Sequence, residues 1–429
     1  MSGIHPRIAA ISLLTRILEH KQTLDEALSQ EESFRSLEGA DRGFARAMVS
    51  ASLRWLGLID GLIAPFVTGR PFRELDPAVQ QSLRIGVAQI CVLETPVHAA
   101  VSETVEAVRY VEAARKAGGL VNAVLRKIEP EALAALDAPL SAIWPEAFAA
   151  QLKAAIGEDS SEALAAATTE IPPLDITCPK DTKFWSERLA GEQIAPNTVR
   201  LSEGIVEALP GYEAGNWWVQ DVAATLPVHV LAPETGEQVL DLCAAPGGKT
   251  LQIAASGAKV TALDRAAKRM RRVEQNLKRT RLEAKCVVAD ARKWTTEDQF
   301  DAVLVDAPCS ALGTLRRHPE GPWIKSPADL SRFPEIQSGL LETAAKFVKP
   351  GGRLVYCVCT PLPEEGVEIV DAFLAAHQGW SRRGLNEQAS EVFANCLTEK
   401  GDFLTLPHLF AHPAGCDAFF IARLERNSD

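Results

Sequence analysis

Residues 238–250 read Gln-Val-Leu-Asp-Leu-Cys-Ala-Ala-Pro-Gly-Gly-Lys-Thr, an apolar run that breaks into small residues and paired glycines. The run predicts a buried strand. The small residues predict a strand-to-helix turn whose backbone can come close to a ligand, with amide groups at the helix start aimed at it. The spacing matches neither the dinucleotide fingerprint nor a P-loop. A glycine turn alone decides little, because tightness is reason enough for one.

The same pattern repeats downstream. AKVTALD (258–264), AKCVVAD (284–290), FDAVLVDAP (300–308) and GGRLVYCVC (351–359) are short β-branched runs separated by helical stretches. That alternation predicts an α/β domain with a parallel sheet covered on both faces. In such sheets ligands bind beyond the carboxyl ends of the strands. The chemically interesting residues fall at those ends.

The second strand should end in Asp264, where a carboxylate can accept both hydroxyls of a ribose. The third should end in Asp290, in reach of an adenine amino group. Either aspartate alone reads equally as a cap for the following helix. Together with the glycine turn they describe a nucleoside-sized pocket.

The fourth strand leads into Asp306-Ala-Pro-Cys309-Ser310 and the fifth into Tyr356-Cys357-Val358-Cys359-Thr360. A thiolate beside a cation or helix start is a strong soft nucleophile. Carbon 5 of cytosine is too electron-poor to take a methyl group directly, whereas a thiolate added at carbon 6 makes it enamine-like. A carboxylic acid such as Asp306 near the ring nitrogen would stabilise that adduct. Cys91, Cys178, Cys243, Cys286, Cys396 and Cys416 read as small buried hydrophobes. The pairing Cys357-x-Cys359 with Cys309 lacks the CxxC spacing of a zinc site, so no metal is expected.

Upstream, residues 1–129 carry apolar residues at helical spacing in IAAISLLTRIL, ARAMVSASLRWLGLIDGLI, VQQSLRIGVAQICVL and VSETVEAVRYVEAARKAG, with breaks at Gly69–Pro71, Thr95–Pro96 and Gly118–Gly119. An all-α binding or scaffolding module is expected there, with His98 structural. Residues 130–214, with a helical stretch around Trp144–Gly157 and then IPPLDITCPK, read as a small α/β connector, and 215–429 as the catalytic domain.

The chain of 429 residues has a net charge of −11, which on average disfavours nucleic acid as a partner. The average hides a basic island. Between Arg265 and Lys285 lie nine Lys or Arg residues against Glu274 and Glu283 alone. Such an island suits phosphate contacts locally or a plain solvated helix face. Arg316, Arg317 and Trp323 carry the same two readings, as phosphate contacts and stacking platform or as packing. No secretory signal and no membrane-length apolar run is seen, which points to a cytoplasmic protein with reduced thiols.

The motifs DLCAAPGGKT, VDAPCSALGTLRRHPE, LVYCVCTPLPEE and GDFLTLPH…DAFFIARL resemble those of the Sun/RsmB-type (Fmu-like) ribosomal RNA cytosine-5 methyltransferases. DRGFARAMVSASLRWLGLIDGLI, LRIGVAQICVLETPVHAAVSETVE and GLVNAVLRKI resemble the NusB-like helical RNA-binding module of that group. The resemblance implies a Rossmann-like catalytic domain using S-adenosylmethionine on RNA, small-subunit ribosomal RNA first and transfer RNA as the alternative. It implies that Cys243, Ala244, Ala245, Pro246, Gly247, Gly248 and Lys249 cradle the cofactor. Asp264 would lie on the ribose, Asp290 near adenine, and Asp306 between methyl group and base. Cys359 aligns with the nucleophile, and Cys309 with the cysteine that assists product release. A monomer is expected. Two departures stand out: Tyr-Cys-Val-Cys-Thr where the family shows Tyr-x-Thr-Cys-Ser, and LDITCPKDTKF where relatives show an Arg-Val-Asn-type strand. A non-catalytic RNA-binding assembly factor is the competing reading, and it leaves the thiols and Asp306 unexplained.

Overall fold

The structure is a computed structural model that describes residues 3–202, 204–384 and 391–428. It divides into two compact units, residues 1–171 with 315–329, and residues 172–314 with 330–429.

The first unit is helical. Helices Ile4–Leu18, Gly39–Arg54, Pro77–Cys91 and Val97–Tyr110 bury Ala9, Leu13, Leu14, Ile17, Met48, Leu83, Val87 and Ala107 against one another. Local chemistry sets the helix starts. Thr23 and Glu26 form a reciprocal capping box, and Asp76 caps a helix that opens with Pro77. Gly118, read from sequence as a break, begins the helix Gly118–Leu125. The helical stretch foreseen around Trp144–Gly157 is the helix Glu146–Ile156.

The connector expected over 130–214 is divided. Helices Glu146–Ile156 and Glu158–Thr169 go with the helical unit, where the Arg54 guanidinium donates to the Thr168 carbonyl at 2.6 Å. The part after residue 171 forms a four-stranded antiparallel sheet of β1 (Leu174–Thr177), β2 (Glu192–Ala195), β3 (Thr198–Leu201) and β4 (Trp218–Val219), in the order β2-β3-β1-β4. LDIT, the departure from the family pattern, is β1. Its Asp175 makes a two-point ion pair with Arg200 of β3 (2.7 and 2.8 Å) and accepts the Val222 amide at 3.1 Å. Both partners are buried, so removing either would cost about 3–5 kcal/mol.

The main sheet carries the strands foreseen from sequence: β5 (Gln238–Leu242), β6 (Lys259–Asp264), β7 (Lys285–Val288), β8 (Phe300–Asp306) and β9 (Val348–Val358). These five are parallel in the spatial order β9-β8-β5-β6-β7. From β5 the chain winds one way through β6 and β7 and then returns to β8 and β9 on the other side. The switch point lies between β5 and β8, where such sheets open a crevice. Strands β10 (Trp380–Arg382), β11 (Phe403–Thr405) and β12 (Phe419–Arg426) complete the sheet antiparallel to their neighbours. Leu240, Val303, Val305 and Tyr356 are fully buried on the sheet, as an α/β sheet with both faces covered requires. Among the described residues no single helix is long and apolar enough to cross a membrane.

Candidate active site

The glycine turn after β5 adopts the backbone that its residues permit. Cys243 and Gly247 have φ of 63° and 109°, and the helix Gly248–Ala255 starts directly behind them. A β-carbon on Gly247 would sit 3.2 Å from Val273. The turn is therefore pressed against the helix Ala267–Thr280 and cannot carry a side chain there without displacement. Asp264, at the tip of β6, is buried and grips this turn. Its Oδ2 accepts the Ala245 amide (3.2 Å), its Oδ1 accepts the Ala266 amide (2.9 Å), and Arg269 lies 3.6 Å away. Asp264 thus serves both as a turn clasp and as a start signal for the next helix. Asp290 lies just past β7, with its carboxylate bonded to the amide and guanidinium of Arg292, which hold it below the ordinary carboxylate range.

Cys243, Asp264, Asp290 and Pro308 line one cavity of about 440 Å³, its mouth included, together with Arg265, Arg269, Ile336 and Leu340. Its lining mixes the charged Asp264, Arg265, Arg269 and Asp290 with the apolar Leu263, Ile336 and Leu340. A mixed lining of this kind suits a nucleoside-sized molecule. Ile336 and Leu340 come from the helix Phe333–Phe347, and no strand-tip pattern could have pointed to them.

The second cluster sits beyond β8 and β9. Lys249 Nζ lies 2.8 Å from Asp306 Oδ2, and Cys357 Sγ lies 3.5 Å from Asp306 Oδ1. Burial works against the Lys249 charge, but Asp306 and the nearby thiols more than offset it and raise the amine above its ordinary range. Cys309 Sγ and Cys359 Sγ are 3.2 Å apart, and both remain free thiols. The contact with Cys359, together with burial, raises the Cys309 thiol well above its usual range. Burial and the Asp306 charge do the same to Cys357. Cys243 is pushed up to about 12, mainly by burial. Two loops hold the sulfurs in register, because Ala307 N donates to Cys357 O (3.0 Å) and Gly313 N donates to Cys359 O (2.9 Å).

Comparison with known proteins places this geometry. A family profile described as 16S rRNA methyltransferase RsmB/F matches residues 228–425, and a NusB family profile matches residues 5–130. Ribosomal RNA small subunit methyltransferase B of Pseudomonas putida is 33% identical, over 98% of this chain and 98% of its own length. The enzyme of that name from Cronobacter sakazakii is 34% identical, over 87% of this chain and 90% of its own. The chain belongs to this family. The solved structure of PH0851 covers 99% of the chain and 98% of its own, with a TM-score of 0.77 and 25% identity. NSun6 from Pyrococcus horikoshii shares the fold at 18% identity, with a TM-score of 0.58, covering 66% of this chain and 99% of its own.

As a member of the RsmB/F family the protein is an RNA methyltransferase whose methyl donor is S-adenosylmethionine. The side-chain-free turn at Gly247, the Asp264 carboxylate and the cavity beyond β5, β6 and β7 fit that donor's nucleoside half. Sequence reasoning missed the residues that aim the thiol loops. Glu365, from the LPEE segment, is buried and accepts the Ser310 amide (2.8 Å) and the Gln337 amide nitrogen (2.9 Å). Tyr356 donates to the Glu365 carbonyl at 2.6 Å. An acidic pair directly after Pro363 was the available signal. Arg316, one of the phosphate candidates, is buried in the helical unit, where its carbonyl accepts from Arg54 at 2.8 Å, while Arg317 is exposed. The Trp323 carbonyl accepts Lys21 Nζ in the same unit at 3.1 Å.

Proposed function

We propose that this enzyme methylates carbon 5 of a cytosine in 16S rRNA through a transient thioether between Cys359 and carbon 6 of the base. One observation carries the reading: two thiols 3.2 Å apart stand beside an Asp306–Lys249 ion pair at neighbouring strand tips. A scaffold protein has no use for that arrangement.

Cys309, with its thiol raised by Cys359 and by burial, lies 3.2 Å from the Cys359 sulfur, close enough for the two to share a proton. Cys359, which aligns with the nucleophile of the family motif, is the attacking thiol in this reading. Cys359 Sγ adds to carbon 6, the ring nitrogen takes up a proton from the Asp306–Lys249 pair, and carbon 5 becomes nucleophilic. Bound S-adenosylmethionine supplies an electrophilic methyl group. The turn Cys243–Lys249 would hold it, with Asp264 on the ribose and Asp290 near the adenine. Once carbon 5 carries the methyl, its proton passes to solvent, the carbon 6–sulfur bond breaks to return the Cys359 thiolate, and the ring nitrogen gives its proton back to the Asp306–Lys249 pair, with Cys309 assisting release. The target base must stand free of its stack to reach these groups. One chain carries both thiols, the acid and the cofactor turn, which supports a monomer.

The test is incubation of the purified protein with methyl-labelled S-adenosylmethionine and unmodified 16S rRNA, followed by nuclease digestion and mass analysis. Label in 5-methylcytosine is expected. Label at another atom or base, or in transfer RNA but not 16S rRNA, overturns the reading.

A further inference from the structure

The helix Ala267–Thr280 presents its basic residues in an ordered way. Met270, Val273 and Leu277 are buried beneath it. Lys268, Arg271, Arg272, Gln275 and Lys278 recur at i, i+3, i+4, i+7 and i+10, so they form one stripe on the face turned away from that core, and all are exposed. From Lys268 to Lys278 the stripe runs about 15 Å. It contains no acidic residue. The helix's single glutamate, Glu274, is exposed at the edge of the stripe, three residues from Arg271 and four from Lys278.

A solvated helix face ordinarily mixes signs, because like charges three and four residues apart repel. Here Lys268 faces Arg271 and Arg272 at those spacings, in a chain whose overall charge is −11. Among the described residues none of the four cationic heads has an ion-pair or hydrogen-bond partner. The two other arginines of the helix are committed. Arg269 donates to the Ala245 carbonyl of the cofactor turn. Arg279 donates to the carbonyls of Tyr212 (2.7 Å) and Trp217 (3.0 Å) and covers the Tyr212 ring. Both ends of the helix are therefore fixed while its outer face stays open. The stripe starts at the rim of the nucleoside cavity, where Arg265 and Arg269 are lining residues.

We propose that Lys268, Arg271, Arg272 and Lys278 form a rail for the phosphate backbone of the ribosomal RNA strand next to the target nucleotide. Contacts of this kind carry no base information. They set position and affinity, and their signature is salt dependence.

The experiment uses the full-length protein with Lys268, Arg271, Arg272 and Lys278 all changed to Gln, and protein-free 16S rRNA transcribed in vitro. At about 0.15 M salt the variant should bind the transcript about tenfold more weakly or worse. Its plot of log affinity against log salt should be shallower by roughly 0.7 per lost contact. The affinity for S-adenosylmethionine, the melting temperature and kcat at saturating RNA should be those of the parent. A companion variant, Arg271→Lys with Arg272→Lys, keeps the charge and should keep the parent slope. Parent-like affinity and slope in the Gln variant overturn the proposal, as does a Lys variant that loses as much as the Gln one. Binding is read independently of turnover, so failure of the methylation chemistry would leave this test intact.

Discussion

The sulfurs of Cys309 and Cys359 lie 3.2 Å apart although the residues are 50 positions apart in sequence. Parallel pairing of β8 with β9 sets Asp306 opposite Cys357, which brings the two following loops side by side. Either sulfur can donate in this contact, so the pair can share one proton. Cys359→Ala should lower methyl transfer by at least about a thousandfold with cofactor affinity nearly unchanged. Cys309→Ala should instead accumulate protein covalently bound to RNA, visible as a slow band on denaturing gels. Free protein alone in that lane would remove Cys309 from product release.

Asp241 lies fully buried beneath the cofactor turn and accepts the Thr250 hydroxyl at 2.5 Å; burial raises its carboxyl to about 7. The unfolded chain releases that proton near pH 4, whereas the folded chain keeps it until about pH 7. The folded state therefore binds more protons in this window, and stability falls as pH rises through it. That contribution to stability is present below pH 4 and lost above pH 7. Asp241→Asn abolishes this dependence. In melts between about pH 5 and pH 8, the parent should lose melting temperature relative to the variant. Parallel curves would show that Asp241 is charged throughout.

The parallel strands and the residues at their tips were legible because each strand is a short β-branched run that ends in residues with few structural uses. Strands β1 to β4 were not, since they are two to four residues long and are held by a small apolar cluster of Ile176, Val199, Leu201 and Trp217 and by the buried Asp175–Arg200 pair, which only folding brings together. The sequence sets Cys357 and Cys359 two residues apart, and only the fold shows that Cys357 is fully buried while Cys359 stays partly exposed. Glu365 escaped notice because its role depends on Ser310 and Gln337, which folding brings to it from 55 and 28 positions away. Arg316 looked like an RNA contact by charge, yet packing within the helical unit buries it.

Gly313 is wedged between two backbones. A β-carbon there would lie 1.8 Å from the Ala418 carbonyl oxygen and 2.8 Å from that of Cys359. The same residue donates to Cys359 and accepts from Ala418, each at 2.9 Å. Neither neighbour can rotate away, because both are main chain. Gly313→Ala should cost about 2–3 kcal/mol or more and move the Cys359 loop. Methyl transfer should then fall well beyond what the loss of folded protein explains. Near-parent activity per folded molecule would show that the loop's position is uncritical.

Cys357 is the thiol most easily confused with the nucleophile, and its surroundings argue against that role. It is fully buried, its sulfur lies 3.5 Å from Asp306 Oδ1, and burial together with the Asp306 charge keeps it protonated. Its S–H is a donor to the carboxylate that Lys249 holds from the other side. Cys357→Ser keeps a donor and should retain turnover within about threefold, while Cys357→Ala, losing about 1 kcal/mol of hydrogen bonding, should fall about fivefold. In a Cys309→Ala background the RNA adduct should persist with Cys357→Ser and vanish with Cys359→Ser. Peptide mapping that puts the modified base on Cys357 would exchange the roles of the two thiols.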